Sequence, residues 1–275
     1  MTPTGTNGSD DDGDGQRHSD DRDAPSNATD PDVWRAYWSS VADSGRRRQV
    51  DLAAADPLGR WLVAEAPVLV EDHDVDPREL HADPDAAFAA ARDGFAALVT
   101  DRDLPDHGDD RYGYESLPVH LTAVGRVDSG TFALRDPVAD ANTLVTLDGA
   151  ALVGDPSRRR EAAVLTYRCP RGHETTVCQP LLRAWSVETC GEADCDRDVV
   201  PDDARTRPRT VARFTVDGPE GALPCVAVGR YATDEFDRLA AADRVHLTGV
   251  VRLLVDRNGE LEPTCEVVTA EPVAP

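Results

Sequence analysis

The sequence predicts a mainly β chain with a helical N-terminal part (α+β), and three observations predict it. Apolar side chains recur at helical spacing in the first third of the chain. Beyond residue 113, short alternating runs separated by turn residues replace them. Four cysteines and a histidine then crowd into the stretch from Tyr167 to Cys195, within a chain of 275 residues that has six cysteines in all.

Residues 1–31 are Asp, Gly, Ser, Asn and Thr with almost no large apolar side chain, and they carry eight acids against two arginines. Such a segment cannot bury enough surface to offset the entropy of ordering, so an acidic disordered tail is expected. From Asp32 the pattern changes. Val33, Trp34, Tyr37, Trp38 and Val41 recur at helical spacing behind an Asp N-cap, and Asp83 to Val99 repeats the device with Phe88, Ala91, Phe95 and Leu98 on one face. Residues 32–112 therefore read as a small helical subdomain whose aromatic stripes form its core.

Residues 113–275 read as strands: LPVHLTAV (117–124), TFAL (131–134), TLVTLDGAALV (143–153), AAVLTYR (162–168), RTVARFTVDG (209–218), PCVAVGR (224–230) and the pair in 244–269. One short helix, 232–243, precedes that last pair. Five to seven short strands with one helix ahead of a closing hairpin fit an OB-type Greek-key barrel, with the cysteine segment inserted at about 167–198.

Acids outnumber bases 52 to 29, and because the chain has no lysine every base is arginine. The formal net charge of −23 suits a surface solvated in molar salt, where the Debye length is about 3 Å and carboxylates repel one another little. The excess is uneven: residues 1–150 hold 31 acids and 13 arginines, residues 151–275 hold 21 and 16. The near balance of the second half leaves room there for an anionic partner. No apolar run approaches the length that spans a bilayer, and the first residues lack the basic and apolar regions of a signal peptide, so a soluble, cytoplasmic protein is expected.

In a reducing compartment a tight Cys/His cluster is more often a metal site than a disulfide framework. Cys169 and His173 (CPRGH) form one candidate knuckle and Cys190 and Cys195 (CGEADC) the other, which together supply the four N/S ligands of a structural zinc ion, Zn2+. The alternative is a set of buried or free thiols. Cys178 lies in a β-type run and is left out of the set, while Cys225 and Cys265 sit in strand patterns and read as core. Trp185 reads as packing beneath the knuckles, with base stacking as the alternative. His120 and His246 lie on strand patterns without a partner motif and read as satisfied core or surface residues.

The order of these features resembles the N-terminal domain of the minichromosome maintenance (MCM) replicative helicases of archaea and eukaryotes. FALRDPVADANTLVTLDGAALVGDPSRRREAAVLTYRC (132–169) is similar to the family's run from a strand through a basic turn to the first zinc ligand. RFTVDGPEGALP (213–224) and DRVHLTGVVRL (243–253) are similar to its later strands and their turns. The resemblance covers about residues 32–275. His173 stands where the family has a second cysteine, Ala242 where it has glycine, and the segment between Pro224 and Arg244 is shorter.

The resemblance implies single-stranded DNA as a partner, association with an MCM helicase or other replication proteins, and a homo-oligomer. Carried over by position, Arg158, Arg159 and Arg160 match the family's basic turn, and Arg252 and Arg257 match a hairpin that points into a channel. Read from the residues alone, Arg205, Arg207, Arg209 and Arg213 alternate through RTRPRTVAR and would line one face of an extended segment. Guanidinium groups serve phosphate pairing and base stacking, and they equally offset carboxylates on an acidic surface. Two functions stand at this point: a non-enzymatic, single-strand-binding protein of replication or repair, favoured by the arginines, and an assembly module without DNA binding, favoured by the acidic first half. No enzyme is expected, because the phosphate loop of the family's ATPase module needs a lysine and this chain has none.

Overall fold

The computed structural model describes residues 28–55, 60–104, 114, 117–127, 129–182, 184–255 and 258–273. The expected tail lies outside the described residues up to residue 27, but its end does not. Ala28 is buried; its N–H donates to Glu79 Oε2 at 2.8 Å and its carbonyl accepts from Trp34 Nε1–H at 2.7 Å.

The N-terminal part runs α1 (Pro31–Asp43), α2 (Arg47–Ala55), β1 (Leu62–Glu65), α3 (Ala66–Asp72), α4 (Pro77–Ala82) and α5 (Pro84–Asp101). Asp-Pro pairs start three of the helices. Asp30, Asp76 and Asp83 each accept a hydrogen bond from a first-turn backbone N–H, while the proline at N1 has no N–H to orphan. Trp34, Tyr37 and Trp38 stack and cross at 4.8–6.0 Å between ring centroids, and Trp38 Nε1–H donates to Ala91 O of α5 at 2.8 Å. The two helices touch at Gly94, where an added Cβ would lie 2.5 Å from Pro31 O and 2.7 Å from Arg35 N.

The expected barrel strand at 117–124 is instead β2 (Val119–Thr122), paired in parallel with β1 in a separate two-stranded sheet. The run from Trp61 to Val70 is apolar enough to be strand or helix by periodicity, and the chain uses its first part as β1. Half of the expected strand at 131–134 is helix, the end of α6 (Ser129–Phe132), followed by an isolated bridge from Ala133 to Thr146. Asp140 Oδ2 accepts from the N–H groups of Arg135 and Asp136 and curls the chain at that point.

The barrel consists of β3 (Leu144–Arg168), β4 (Glu174–Cys178), β5 (Val200–Pro201), β6 (Arg207–Gly218), β7 (Gly221–Val228), α7 (Phe236–Ala240), β8 (Arg244–Val255) and β9 (Leu261–Pro272). β3 pairs antiparallel with β8 through Leu144–Ala151 and with β6 through Leu152–Val164. With β6–β7 and β8–β9 antiparallel and β7–β9 parallel, five strands close in the order β3-β6-β7-β9-β8 and back to β3, the OB arrangement. The turn expected at Arg158–Arg160 is absent: β3 is one strand of 25 residues, bent by register shifts at 153–157 and 162–164.

Two cores result. Phe214, Val216, Leu223, Cys225, Val251 and Cys265 fill the barrel, with Phe236 and Leu239 of α7 packed onto it. The helical part and β2 form the other with Leu144, Val250 and Val268, which docks the helices on the barrel's outside. Among the described residues no helix is long and apolar enough to cross a membrane.

His120 joins β2 to β9. Its Nδ1 lies 2.7 Å from Val268 O and its ring meets Tyr231 edge-on at 5.0 Å. Burial lowers its pKa to about 4, against 6.5 for an exposed imidazole. The native state therefore stays neutral where the unfolded chain takes up a proton. Stability is expected to fall as pH drops from about 6.5 to about 4, by up to about 3 kcal/mol, with no further contribution from this residue below that range. Denaturant titrations of wild type and His120→Gln should show this part of the pH dependence in the wild type alone. Gly94→Val should lower the unfolding midpoint by the equivalent of about 1–3 kcal/mol, because the α1–α5 crossing has no space for a side chain.

Candidate metal centre and nucleic-acid interface

The end of β3 carries the cysteine segment. Tyr167 and Arg168 pair with β4 on one side and β5 on the other. Beyond them Gly172 N–H donates to Cys169 O at 2.9 Å and Cys169 N–H to His173 O at 3.1 Å, a turn that folds His173 back over Cys169. The second knuckle closes similarly: Cys190 N–H donates to Arg197 O at 2.9 Å and Cys195 N–H to Glu192 O at 3.1 Å.

These turns bring Cys169, His173, Cys190 and Cys195 together, with all four ligand atoms within 4.8 Å of one another. Cys195 Sγ lies 3.9 Å from Cys169 Sγ, and Cys190 Sγ lies 3.7 Å from His173 Nδ1. A tetrahedral ion with bonds of about 2.3 Å to sulfur and about 2.0 Å to nitrogen sets ligand separations of roughly 3.5–3.8 Å. The cluster is already near coordination spacing and could hold a metal ion.

The electrostatics of its thiols are mixed. Burial opposes ionisation of Cys169, but backbone N–H groups of His173 and Arg171 and the adjacent thiols bring its pKa below the ordinary thiol value. At Cys190 a hydrogen bond from the Glu192 backbone lowers the pKa, yet burial and the Cys195 and Cys169 thiols raise it overall. A bound cation would let all three ionise together. Cys178, on β4 opposite Val164, is not in the group.

Trp185 departs from expectation. It is 56% exposed, and Val199 is the side chain packed against the three cysteines. The backbone of Trp185 is held by Gln179, whose Oε1 accepts from Trp185 N–H at 2.8 Å and whose Nε2–H donates to Trp185 O at 2.9 Å.

The arginines are divided by the strand period. Because β3 is continuous, Arg159 faces one side of the sheet and Arg158 and Arg160 the other. Arg158 lies over the Phe236 ring at 5.0 Å. Arg159 Nε–H donates to Glu161 Oε1 at 2.6 Å, and Arg213 shares that oxygen at 2.9 Å. Burial raises the pKa of Glu161, but the hydrogen bonds from Arg213 and Arg159 outweigh it and hold the carboxyl below its ordinary value. Arg209, opposite Glu161 in the ladder, donates to Pro180 O at 2.9 Å, and burial makes its guanidinium less basic than usual. Arg207 is exposed at the start of β6, and Arg205, ahead of it, pairs with Glu174.

Arg252 does not point free from the hairpin. It is ion-paired with Asp85 of α5 and with Glu266 at 3.1 Å, and so ties the helical part to β8 and β9. Arg257 lies outside the described residues.

Two clefts flank the segment Gln179–Leu182, and Arg209 borders both. One, of about 790 Å³, is also lined by Trp185, Phe88 and Arg252. The other, of about 620 Å³, is lined by Glu161, Arg213 and Val226. Sequence periodicity did not reveal these clefts, since they form between segments distant in the chain; the alternating arginines of β6 were the signal that pointed to their wall.

No family model matches the sequence, and no curated protein does. Among solved structures the chain is similar to the crystal structure of the N-terminal domain of an archaeal MCM, with a TM-score of 0.67 and 12% identity, over 89% of this chain and 98% of that one. At that identity the likeness is one of fold.

Elemental analysis of the purified protein is expected to give one metal ion per chain. Cys190→Ser should lose it and lower the melting temperature, whereas Cys178→Ser should keep it; loss of the ion from Cys178→Ser instead would refute the ligand set.

Proposed function

We propose that this chain is a non-enzymatic OB-fold protein that binds single-stranded DNA in replication or repair, in a salt-rich cytoplasm, with a structural zinc ion on Cys169, His173, Cys190 and Cys195. Three thiolates and an imidazole suit zinc, and four protein ligands close the coordination sphere, so the ion would stabilise the ribbon and leave no position for activating water.

The position of the arginines carries the DNA reading. OB barrels take oligonucleotides across their second and third strands, between the loops that join strands one to two and four to five. In this chain those strands are β6 and β7, and those loops are the ribbon segment and the β8–β9 hairpin. Arg209 and Arg213 line the clefts on that side, and Arg159 adjoins them through Glu161. Arg207 extends the row, and Arg257 at the hairpin end completes the proposed set. Arg158 and Arg160 belong to the opposite side of β3, and Arg252 acts through its ion pairs.

A second reading has its own support. Val255 and Leu261, at the end of the hairpin, are 68% and 57% exposed, which favours a protein partner there: an MCM helicase, another replication protein or a second copy of this chain.

Titration of a fluorescent single-stranded oligonucleotide separates the two. Replacing Arg159 and Arg213 together by alanine should weaken binding several-fold, with metal content unchanged and the melting temperature lowered because Glu161 loses both partners; replacing Arg158 and Arg160 should weaken it less. Absence of binding to the wild type in potassium chloride from roughly 0.2 to 2 M, a range that spans weak to nearly complete screening, would leave the assembly reading in place.

A further inference from the structure

We infer that the larger cleft is a base pocket, taking one unstacked nucleotide of a bound single strand with its base against Trp185 and its phosphate on Arg209. The inference rests on the DNA reading above and names a site within it.

Three observations carry it. Trp185 keeps more than half of its surface in solvent while bordering the 790 Å³ cleft, and an indole face is a stacking platform that every base can use. Arg209 is half-buried in the cleft wall, and its Nε–H is buried with no acceptor among the described residues. Its NH2 group meets the neutral carbonyl of Pro180. Glu161 is engaged by Arg159 and Arg213, and Glu266 by Arg252. A guanidinium so placed is partly desolvated and makes no ion pair within 4.0 Å among the described residues, with Glu161 and Glu266 acting on it only at longer range; a phosphate would be its direct counterion.

The third observation is that consecutive residues hold the two groups. Gln179 clamps the Trp185 backbone with two hydrogen bonds and Pro180 receives Arg209. The Trp185 backbone and the Arg209 guanidinium are therefore held before a ligand arrives, which lowers the ordering penalty of binding.

The cleft's size and lining agree. Its volume lies within the range of roughly 300–1,000 Å³ typical of small-ligand sites. Its walls are largely apolar, with Phe88, Leu117 and Leu182 among them. Asp85 and Glu266 also line it, and both are engaged by Arg252; the lining holds more arginines than acids within a chain of net charge −23.

The test uses the full chain and a single-stranded oligothymidine carrying one 2-aminopurine. Its emission should be quenched on binding to the wild type and to Trp185→Phe, with similar affinity. Trp185→Ala should bind about tenfold more weakly without the quenching; because Trp185 is exposed, this variant keeps the fold. Arg209→Met should also bind several-fold more weakly, with an unchanged melting temperature, since an apolar side chain of similar volume replaces a buried charge without penalty. If Trp185→Ala binds and quenches as the wild type does, the base lies elsewhere: the pocket is refuted and the DNA reading stands. If the wild type binds no oligonucleotide, both fall together.

Discussion

The continuity of β3 is the constraint on which the rest of the structure depends. One strand of 25 residues closes the barrel by pairing with β8 in its first half and β6 in its second, and then continues as the stem of the ribbon through β4 and β5. A strand so long must bend to stay on a small barrel, and the register shift at 153–157 supplies the bend, with Gly154 at φ +73° inside it. An interruption there would open two sheet edges and detach the ribbon from its support.

The same continuity fixes where charge can act. Three consecutive arginines in a turn would make one cationic tip; in a strand they are split between two faces, and each face uses them differently. Arg158 covers Phe236, whereas Arg159 joins Glu161 and Arg213 on the cleft side. Glu161 thus positions two guanidinium forks while leaving some of their N–H groups directed outward. Arg252, drawn away from the hairpin by Asp85 and Glu266, spends its charge on holding α5 against the barrel.

Where local chemistry dictates the outcome, the sequence was a sufficient guide. The Asp-capped helices near 32–41 and 83–99, the Trp34, Tyr37 and Trp38 core, the strands from β6 onward and the four-residue cluster at 169–195 all follow from spacing and side-chain type. What escaped it depends on partners distant in the chain. Whether DPSRRRE turns or continues is decided by β6 lying alongside, β1 exists because β2 pairs with it across 57 residues of sequence, and Val199, not Trp185, packs against the three cysteines. No periodicity encodes such choices.

The distribution of acid is compatible with the anion-binding face proposed for this anionic chain. Carboxylates more than about 10 Å from the clefts are largely screened at moderate salt, so the total charge has less bearing on contacts made there than the groups that line them, Asp85 of α5 included. Within the clefts the local inventory decides. Asp85 and Glu266 share Arg252, Glu161 holds Arg159 and Arg213, and Arg209 hydrogen-bonds a neutral carbonyl while feeling Glu161 and Glu266 at longer range. Affinity on such a face is set less by the number of exposed bases than by the few guanidinium groups already stripped of water, whose contacts salt screens least. On the proposed reading, an acidic exterior would discourage non-specific adherence of nucleic acid elsewhere on the chain and would confine binding to the face where charge, aromatic surface and barrel geometry coincide.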